Sequence, residues 1–366
     1  MTDVNPDSIE TPIGYVDLSR VRSNAAGSVA YAAQHGLGWR PHIKTHKSRD
    51  IARIQLDSGA RGLTVATLRE AEVMATVSDD ILLAYPPVGE AKLRRLVALP
   101  ESLDLKVGLD SARVLQELAS ACAAVGRTTG VLVELDAGMG RVGVQTDSDM
   151  VRLAEQAEAL DGVAFRGIMF YPGHIRSDES DQAEPITRVA ARLSDALAAL
   201  EAAGLPAEIV SGGSTPTLKQ SHLMPGLTEI RSGSCIFYDR EGLALGFAQP
   251  DNIAYTVLAT VVSRSVPGQA VVDAGSKALA KESRGGDAGF GVLLDRPEVL
   301  VTSLSEEHGV LDLSGTAWSP EVGDRVRIVP NHVCVSVNLQ DAVLAVDGEA
   351  HRLLALEARG RGPWSE

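Results

Sequence analysis

The segment Pro41–Lys47 contains the residues of this chain that are best suited to covalent chemistry. Lys44 ends a short apolar run, and His42 and Lys47 lie close to it in the sequence. Burial at the end of a strand and neighbouring cations both lower the pKa of a lysine, which makes its neutral amine a nucleophile. The alternative is a solvated lysine in a basic patch, but three crowded cations in an acidic protein favour function, because such crowding lowers a lysine pKa or attracts an anion.

Two later segments add an arginine, an aromatic ring and a histidine. The segment Asp136–Gly143 contains three glycines, which allow the backbone to approach a ligand closely, and Arg141 supplies a rigid guanidinium group. Tyr171 and His174 follow the next apolar run and make up one rim of the expected site. We expect Tyr171 and Arg141 to contact a ligand and His174 to transfer protons. A mobile loop with a surface arginine, and a structural histidine, are the alternatives.

Two glycine-rich loops have the composition of a phosphate site. Paired glycines followed by hydroxyl residues form a nest of backbone N–H donors that suits a phosphate group. In a barrel of parallel strands, phosphate sites recur in the loops after the seventh and eighth strands. The residues with this pattern are Gly212, Gly213, Ser214, Thr215, Gly233 and Ser234.

A histidine and a cysteine near the C-terminus could bind a metal ion. His332 and Cys334 lie in a strand-like run, and residues i and i+2 of a strand point to the same face. Imidazole and thiolate ligands favour zinc over magnesium or calcium, and two protein ligands leave room for water or substrate. The alternative is a buried core cysteine beside a half-exposed histidine. The polar segment Ser305–Gly309 is expected to be a turn.

The elements that must position these residues alternate between apolar runs and amphipathic segments over the first two thirds of the chain. Segment Ser111–Val125 has apolar residues at helical spacing, and glycines follow the helix-like segments at positions 36, 59, 126, 162 and 204. About eight such units predict a (β/α)8 barrel, in which functional groups come from the loops after the strands. The apolar runs are Trp39–Lys44, Gly62–Thr67, Asp80–Tyr85, Asp104–Leu109, Val131–Leu135, Phe165–Tyr171, Glu208–Ser211 and Glu229–Phe237.

The pattern changes near residue 252, where strand-like runs replace the alternation. Turn signals such as Pro267-Gly268 and Asp347-Gly348 separate these runs, which predicts a mainly antiparallel sheet. We therefore expect a barrel domain over residues 1–250 and a β domain over residues 251–366. The strand-like runs are Ile253–Val266, Gln269–Asp273, Val299–Leu304, Asp324–Val329, His332–Leu339 and Ala342–Leu356.

The composition excludes several classes of protein. Hydrophobic residues make up 45% and charged residues 22%, as in an ordinary globular protein, and the net charge of −14 argues against nucleic acid or an anionic membrane as the main partner. Residues 1–11 lack the features of a signal peptide, and the apolar runs are too short for a membrane helix. The three separated cysteines imply no disulfide framework. We expect a cytoplasmic protein.

Taken together, these segments resemble the fold-type III pyridoxal phosphate (PLP) enzymes of the D-threonine aldolase and D-serine dehydratase family over nearly the whole chain. Segment Arg40–Lys47 is similar to the motif of the cofactor lysine, and Asp136–Arg141 is similar to an alanine racemase motif. The resemblance implies that Lys44 holds PLP as a Schiff base and that Arg141 approaches the phenolic oxygen of the cofactor. It also implies a phosphate cradle at the two glycine-rich loops, with Tyr238 as a further phosphate contact.

The resemblance further implies a lyase for β-hydroxy-D-amino acids and a homodimer. His332 and Cys334 correspond to the zinc pair of the dehydratase branch, whereas the best-known aldolases have His-x-Asp there. If Lys44 removes the α-proton and the hydroxyl group leaves, the products are a 2-oxo acid and ammonia. If a base such as His174 removes the hydroxyl proton, the Cα–Cβ bond breaks and gives glycine and an aldehyde. The thiolate ligand favours elimination.

Two other functions remain as alternatives. Alanine racemases need a second base from the β domain, typically a tyrosine, and Tyr255 at the start of that domain is its one tyrosine. Because Tyr255 lies away from the expected motif, the sequence argues against a racemase. A PLP carrier without turnover usually lacks a β domain, whereas this chain has one.

Overall fold

The computed structural model describes residues 4–283 and 289–362. Residues 1–3 of the predicted N-terminal segment, and 284–288 and 363–366 of the predicted β domain, lie outside the described residues. The helices are α1 (Leu18–Gln34), α2 (Arg49–Asp57), α3 (Leu68–Met74), α4 (Glu90–Val97), α5 (Ala112–Ala123), α6 (Asp147–Ala159), α7 (Ala183–Ala202), α8 (Arg240–Ala244), α9 (Ser276–Leu279) and α10 (Val333–Asn338). The strands are β1 (Ile13–Asp17), β2 (Gly38–Trp39), β3 (Leu63–Val65), β4 (Asp80–Leu83), β5 (Asp104–Leu109), β6 (Thr129–Leu135), β7 (Val163–Phe170), β8 (Ile209–Gly212), β9 (Glu229–Ile230), β10 (Tyr255–Ser263), β11 (Gln269–Val272), β12 (Gly291–Leu293), β13 (Arg296–Leu304), β14 (Gly309–Asp312), β15 (Arg325–Pro330), β16 (Ala342–Asp347) and β17 (Ala350–Ala355).

Eight parallel strands form a closed barrel. Their order is β2-β9-β8-β7-β6-β5-β4-β3, and each pairing between neighbours is parallel. The ends of this sheet meet where Thr64 pairs with His42 and donates its amide to the Pro41 carbonyl at 2.9 Å. The predicted (β/α)8 barrel is confirmed, and its first and last strands, β2 and β9, are only two residues long.

The amphipathic pattern explains the helices that surround the barrel. Helix α5 buries Val114, Leu115, Leu118 and Cys122 on one face, as the spacing of segment 111–125 predicts. Gly126 follows this helix with a φ of 71°, a left-handed conformation that glycine adopts without strain and that ends the helix. Among the described residues, no helix is both long and apolar enough to cross a bilayer.

The second sheet is mainly antiparallel, as predicted. Strands β10, β11, β14, β13, β12 and β15 pair in that order, and β15 pairs with β10 to close a ring. Strand β1 extends the sheet by pairing antiparallel with β10, with Tyr15 opposite Thr256. On its other edge β1 pairs in parallel with β16, which forms a hairpin with β17.

The two sheets belong to two compact units that do not follow the order of the chain. Among the described residues, the barrel unit contains 26–44, 52–233 and 360–362, and the antiparallel unit contains 4–25, 45–51, 234–283 and 289–359. Because β1 pairs with β10 and β16, the N-terminal residues join the antiparallel unit. The sequence analysis did not predict that the N-terminal residues belong to the antiparallel unit. The predicted domain boundary at residue 250 stays a prediction.

One predicted strand is a helix. The alternating pattern of His332–Leu339 predicts a strand, but the chain forms α10 with His332 as its N-cap residue. The helix buries Val333 and Val337, which lie four residues apart, and the Asp239 carboxylate accepts a hydrogen bond from the Val333 amide at 3.0 Å. A carboxylate from a distant part of the chain therefore stabilises a helix start where valines favour a strand.

Candidate active site

The ring of Tyr171 brings together two of the predicted cofactor-binding cations. The Nζ atom of Lys44 lies 5.9 Å from the centroid of this ring, and the Cζ atom of Arg141 lies 5.1 Å from it. These residues follow β2, β7 and β6, so the carboxyl ends of three parallel strands position them. Lys44 lies on a single 3-10 turn and its side chain is exposed, so the expected burial at the end of the strand is not found.

A carboxylate fixes the loop that carries Arg141. Asp136 accepts hydrogen bonds from the amides of Gly138, Met139 and Gly140 at 2.9 to 3.2 Å. Burial alone would raise the pKa of Asp136, but these amides and the side chain of Gln145 outweigh burial and lower it. The loop is therefore ordered before any ligand binds.

His174 lies beside the same loop. A Cβ atom built on Gly138 would lie 3.3 Å from the ring of His174, so a side chain at this position would press on the histidine. Burial and the charge of Arg188 lower the pKa of His174, against the opposing effect of Asp136. The neutral imidazole that results can accept a proton.

Two buried charges lie at the same end of the barrel, and the sequence did not identify either. Arg231 follows β9 and donates from Nη2 to the Phe170 carbonyl at 2.7 Å, while its buried Nη1 has no hydrogen-bond partner among the described residues. Burial lowers the pKa of Arg231 despite Glu134 and Glu229. Burial likewise raises the pKa of Glu134, although Arg231 and Arg141 oppose the shift.

The first glycine-rich loop is held together by its own hydroxyl groups. The amide of Ser214 donates to the Thr217 hydroxyl at 3.2 Å, and the two hydroxyl groups lie 2.9 Å apart. Gly213 has a φ of 81°, and a Cβ on Gly212 would lie 2.3 Å from the Phe170 ring. Packing within the barrel thus explains Gly212. Thr215 is buried in the same loop.

The second glycine-rich loop leads from β9 into a 3-10 helix that begins at Ser234, directly after Gly233. Tyr238 follows in a left-handed conformation with a φ of 51°, and its amide donates to the Ser234 carbonyl at 2.7 Å. The Tyr238 ring packs against an apolar cluster that includes Ile253 and Val329. Its role as a phosphate contact stays a prediction.

The predicted metal ligand His332 is held by a buried carboxylate. Its Nδ1 atom lies 3.0 Å from Oδ2 of Asp239, which leaves Nε2 for a metal ion. Asp239 also accepts hydrogen bonds from the amides of Val333 and Gly242 and is 4% exposed. Burial alone would lower the pKa of His332, but Cys334 and Asp239 outweigh burial and raise it to about 9.

Cys334 lies near His332, although not for the predicted reason. Both residues lie at the start of α10, so the expected strand geometry is wrong, yet their side chains are within hydrogen-bonding range. The Cys334 sulfur also lies 3.2 Å from the hydroxyl of Thr45. Ligand atoms of His332, Asp239 and Glu241 lie within 4.8 Å of one another, so two carboxylates lie close to the histidine.

Tyr255 is placed as a structural residue. It is fully buried, and burial raises the pKa of its hydroxyl. This hydroxyl lies 3.0 Å from Ser336 Oγ, and Ser336 donates its own hydrogen to the Ala278 carbonyl at 2.7 Å. Tyr255 therefore donates to Ser336 and is unsuited to the role of a racemase base.

Comparison with known proteins places this fold and these residues in a family. The sequence matches the alanine racemase N-terminal domain over residues 16–241 and a putative serine dehydratase domain over residues 254–346. A D-threonine aldolase from Arthrobacter sp is 35% identical over 96% of this chain and 93% of the aldolase. A D-threo-3-hydroxyaspartate dehydratase from Delftia sp. (strain HT23) is 33% identical over 90% of this chain and 92% of the dehydratase.

Solved structures agree with the sequence matches. The D-threonine aldolase from Filomicrobium marinum superposes with a TM-score of 0.91 at 31% identity, over 98% of each chain. The chain belongs to the fold-type III PLP enzymes of the D-threonine aldolase and D-serine dehydratase family. It is therefore a PLP-dependent lyase, and its relatives divide among aldolases and dehydratases.

Two solved structures of the D-threo-3-hydroxyaspartate dehydratase carry single substitutions. One replaces a histidine with alanine and superposes with a TM-score of 0.89 at 30% identity, over 98% of this chain and 97% of that chain. The other replaces a cysteine two positions later with alanine and is in a metal-free form. It superposes with a TM-score of 0.87 at 31% identity, over 97% of this chain and 99% of that chain.

Proposed function

We propose that the chain is a PLP- and zinc-dependent dehydratase that converts a β-hydroxy-D-amino acid into a 2-oxo acid and ammonia. The observation that carries this proposal is the pairing of His332 with Cys334 at the start of α10. The dehydratase relative has been altered at a histidine and a cysteine with the same spacing, and its cysteine variant was solved without metal. An imidazole and a thiolate are a donor set that favours zinc.

The barrel residues fit PLP. Lys44, Arg141 and the Tyr171 ring lie together, and the buried Nη1 of Arg231 is an orphaned donor that a polar group of a bound ligand would satisfy. We assign Lys44 to the covalent link and Arg141 to the cofactor oxygen. We assign the phosphate to the two glycine-rich loops, with the contact residues Gly212, Gly213, Ser214, Thr215, Gly233, Ser234 and Tyr238.

PLP, the metal ion and the side chains of the protein each contribute a different part of the proposed reaction. When bound, PLP supplies an electron sink for the pair of electrons left at the substrate Cα. When bound at His332 and Cys334, the metal supplies Lewis acidity to a substrate hydroxyl oxygen. Lys44 Nζ takes the α-proton in the elimination, and the exposed position of its side chain allows the amine to reach the substrate.

Aldol cleavage is the second candidate, and the D-threonine aldolase relative at 35% identity favours it. In this direction a base removes the hydroxyl proton and the Cα–Cβ bond breaks, which gives glycine and an aldehyde. The lowered pKa of His174 keeps its imidazole neutral, as a base requires.

Product analysis with D-threonine, PLP and zinc tests the proposal. A dehydratase gives 2-oxobutanoate and ammonia, whereas an aldolase gives glycine and acetaldehyde. The variant Cys334→Asp replaces the thiolate with the carboxylate of the best-known aldolases, and we expect the product ratio to shift toward glycine. Binding of PLP without products from D-threonine, D-serine or 3-hydroxy-D-aspartate would instead indicate a carrier.

Chelation tests the metal separately. We expect excess chelator to abolish turnover and zinc to restore it, and full activity in chelator would contradict the metal assignment. We further propose a cytoplasmic homodimer, for which sedimentation of the purified protein at micromolar concentration is the test. A monomer that is fully active would contradict the dimer.

A further inference from the structure

The predicted metal ligand Cys334 lies next to a buried hydroxyl group, that of Thr45, which directly follows the predicted cofactor lysine in the chain. Thr45 Oγ1 lies 3.2 Å from the Cys334 sulfur, and Thr45 is fully buried. Thr45 is the residue after Lys44 and shares the 3-10 turn Ile43–Thr45 with it. One short turn therefore carries the predicted cofactor lysine and the hydroxyl that contacts the predicted metal ligand.

The chemistry of a metal site decides the direction of this hydrogen bond. A metal-bound thiolate has no hydrogen, so the Thr45 hydroxyl must donate to the sulfur. Hydrogen bonds to an ionised acceptor are about twice as strong as neutral ones, and a threonine side chain has few rotamers. The bond therefore fixes where the sulfur lone pairs point.

We propose that Thr45 is a positioning residue for the metal: its hydroxyl donates to the Cys334 thiolate and aims the sulfur at the ion. This inference rests on the proposed function. His332 has the equivalent support from Asp239, whose carboxylate lies 3.0 Å from Nδ1. Each predicted ligand thus has a buried polar partner, and residues of this kind change metal affinity about 10- to 100-fold.

The chain contains a matched pair that serves as a control. In the barrel, Thr129 Oγ1 lies 3.3 Å from the sulfur of Cys122, and both residues are fully buried. Burial raises the pKa of the Cys122 thiol, which keeps this sulfur protonated. The variants Thr45→Val and Thr129→Val therefore remove the same kind of hydrogen bond, at a predicted metal ligand and at a core cysteine.

The experiment loads the purified, PLP-containing protein with Co²⁺. Thiolate-to-cobalt charge transfer absorbs in the near ultraviolet and reports the sulfur ligand, while competition with a chromophoric chelator gives the affinity. We expect Thr45→Val to weaken Co²⁺ binding about 10- to 100-fold and to shift the charge-transfer band. We expect Thr45→Ser, which keeps the hydroxyl, and Thr129→Val to match the parent protein. Thr45→Ala removes the hydroxyl without adding volume and replaces Thr45→Val if that variant does not fold.

The outcomes separate this inference from the proposed function. A charge-transfer band in the parent protein that is unchanged in affinity and position in Thr45→Val and Thr45→Ala overturns the role of Thr45 and leaves the metal site standing. Equal losses in Thr45→Ser and Thr45→Val also overturn it, because they would show a packing effect. A parent protein that binds Co²⁺ without a charge-transfer band overturns the thiolate ligand itself, and with it the inference.

Discussion

Each end of the parallel barrel contains a buried arginine, and the two arginines have opposite surroundings. At the amino ends of the strands, Arg40 donates from Nε to Glu229 at 2.9 Å and from Nη2 to Asp80 at 3.0 Å. At the carboxyl ends, the Arg231 side chain donates from Nη2 to the Phe170 carbonyl, and its Nη1 has no hydrogen-bond partner among the described residues. Carboxylates of the chain therefore bind the guanidinium group of Arg40, whereas one nitrogen of the Arg231 guanidinium group is left without a hydrogen-bond acceptor among the described residues.

The pKa values of Arg40 and Arg231 shift in opposite directions. Burial would lower the pKa of Arg40, but Glu229 and Asp80 outweigh burial and raise it. Burial would also raise the pKa of Asp80, but Arg40 and Lys106 lower it. At the other end, burial prevails and lowers the pKa of Arg231. We conclude that the amino end stabilises the fold, whereas the carboxyl end is arranged for a ligand.

The largest effect should come from Lys44→Ala at the carboxyl end. We expect turnover to fall at least about 10³-fold and the covalent link to PLP to be lost. Because Lys44 is exposed, the free energy of unfolding should change by less than about 0.5 kcal/mol. Borohydride reduction with mass spectrometry and urea denaturation measure the two effects. Lys92→Ala, which removes a lysine 5.6 Å from the Tyr85 ring centroid, is the control and should stay active.

The next largest effect should come from Arg40→Met at the amino end. Glu229 would remain as a fully buried carboxylate and Asp80 as a partly buried one, so we expect the protein to lose about 3–5 kcal/mol of unfolding free energy. Urea denaturation measures this loss. The surface pair of Arg166 with Glu208 is the control, and Arg166→Met should cost less than about 1 kcal/mol. Equal losses in both variants would contradict the structural role of Arg40.

Arg231→Met should weaken cofactor binding and leave stability nearly unchanged, whereas Arg40→Met should lower stability. We expect the PLP dissociation constant to rise about 10- to 100-fold, because a hydrogen bond from a charged donor contributes about 1.5–3 kcal/mol. The stability of the cofactor-free protein should change little, since loss of the bond to Phe170 is offset by removal of a desolvated charge. Titration with PLP, followed by absorbance, measures the affinity. A large loss of stability with unchanged PLP affinity would show that both ends are structural.

The smallest effect should come from Glu134→Gln. The sign of its change in stability should be opposite to that of Asp80→Asn, because the pKa of Glu134 is raised and that of Asp80 is lowered. A raised pKa in the folded state means that the Glu134 carboxylate costs stability at neutral pH, so the variant should be more stable than the parent protein at that pH. This gain should begin to shrink as the pH falls to the raised pKa of the folded state, and it should be gone below the ordinary carboxyl pKa of the unfolded state, where both states bind the proton. Asp80→Asn should lose stability at neutral pH, and the loss should shrink as the pH falls through the lowered pKa. Urea denaturation between pH 3 and pH 8, about the range in which carboxyl groups titrate, measures both.

The sequence predicts the barrel and one half of its site because both depend on local patterns. Alternating apolar runs and amphipathic segments give the strand order, and the loops after parallel strands meet at one end. Lys44, Arg141 and Tyr171 therefore come together as their places after strands indicate.

The remaining features depend on contacts between distant residues, which spacing does not reveal. His332 and Cys334 are neighbours in a helix because the Asp239 carboxylate binds the first amide of that helix. Thr45 and Arg231 gain their roles from partners elsewhere in the chain. The sequence offers one weak signal for Asp239 and Thr45, which is that each directly follows a predicted site residue.

Strand β1 has a consequence for how the protein is made. It lies between β10 and β16, with Tyr15 opposite both Thr256 and Leu344, so its two hydrogen-bonding edges are completed by strands near the end of the chain. At about 10 residues per second, a ribosome needs roughly half a minute to synthesise the missing neighbours. During that time β1 exposes both edges of a strand that is already outside the ribosome. Unpaired strand edges can pair with another chain, so we expect the nascent chain to be prone to association through its N-terminal segment until synthesis is nearly complete.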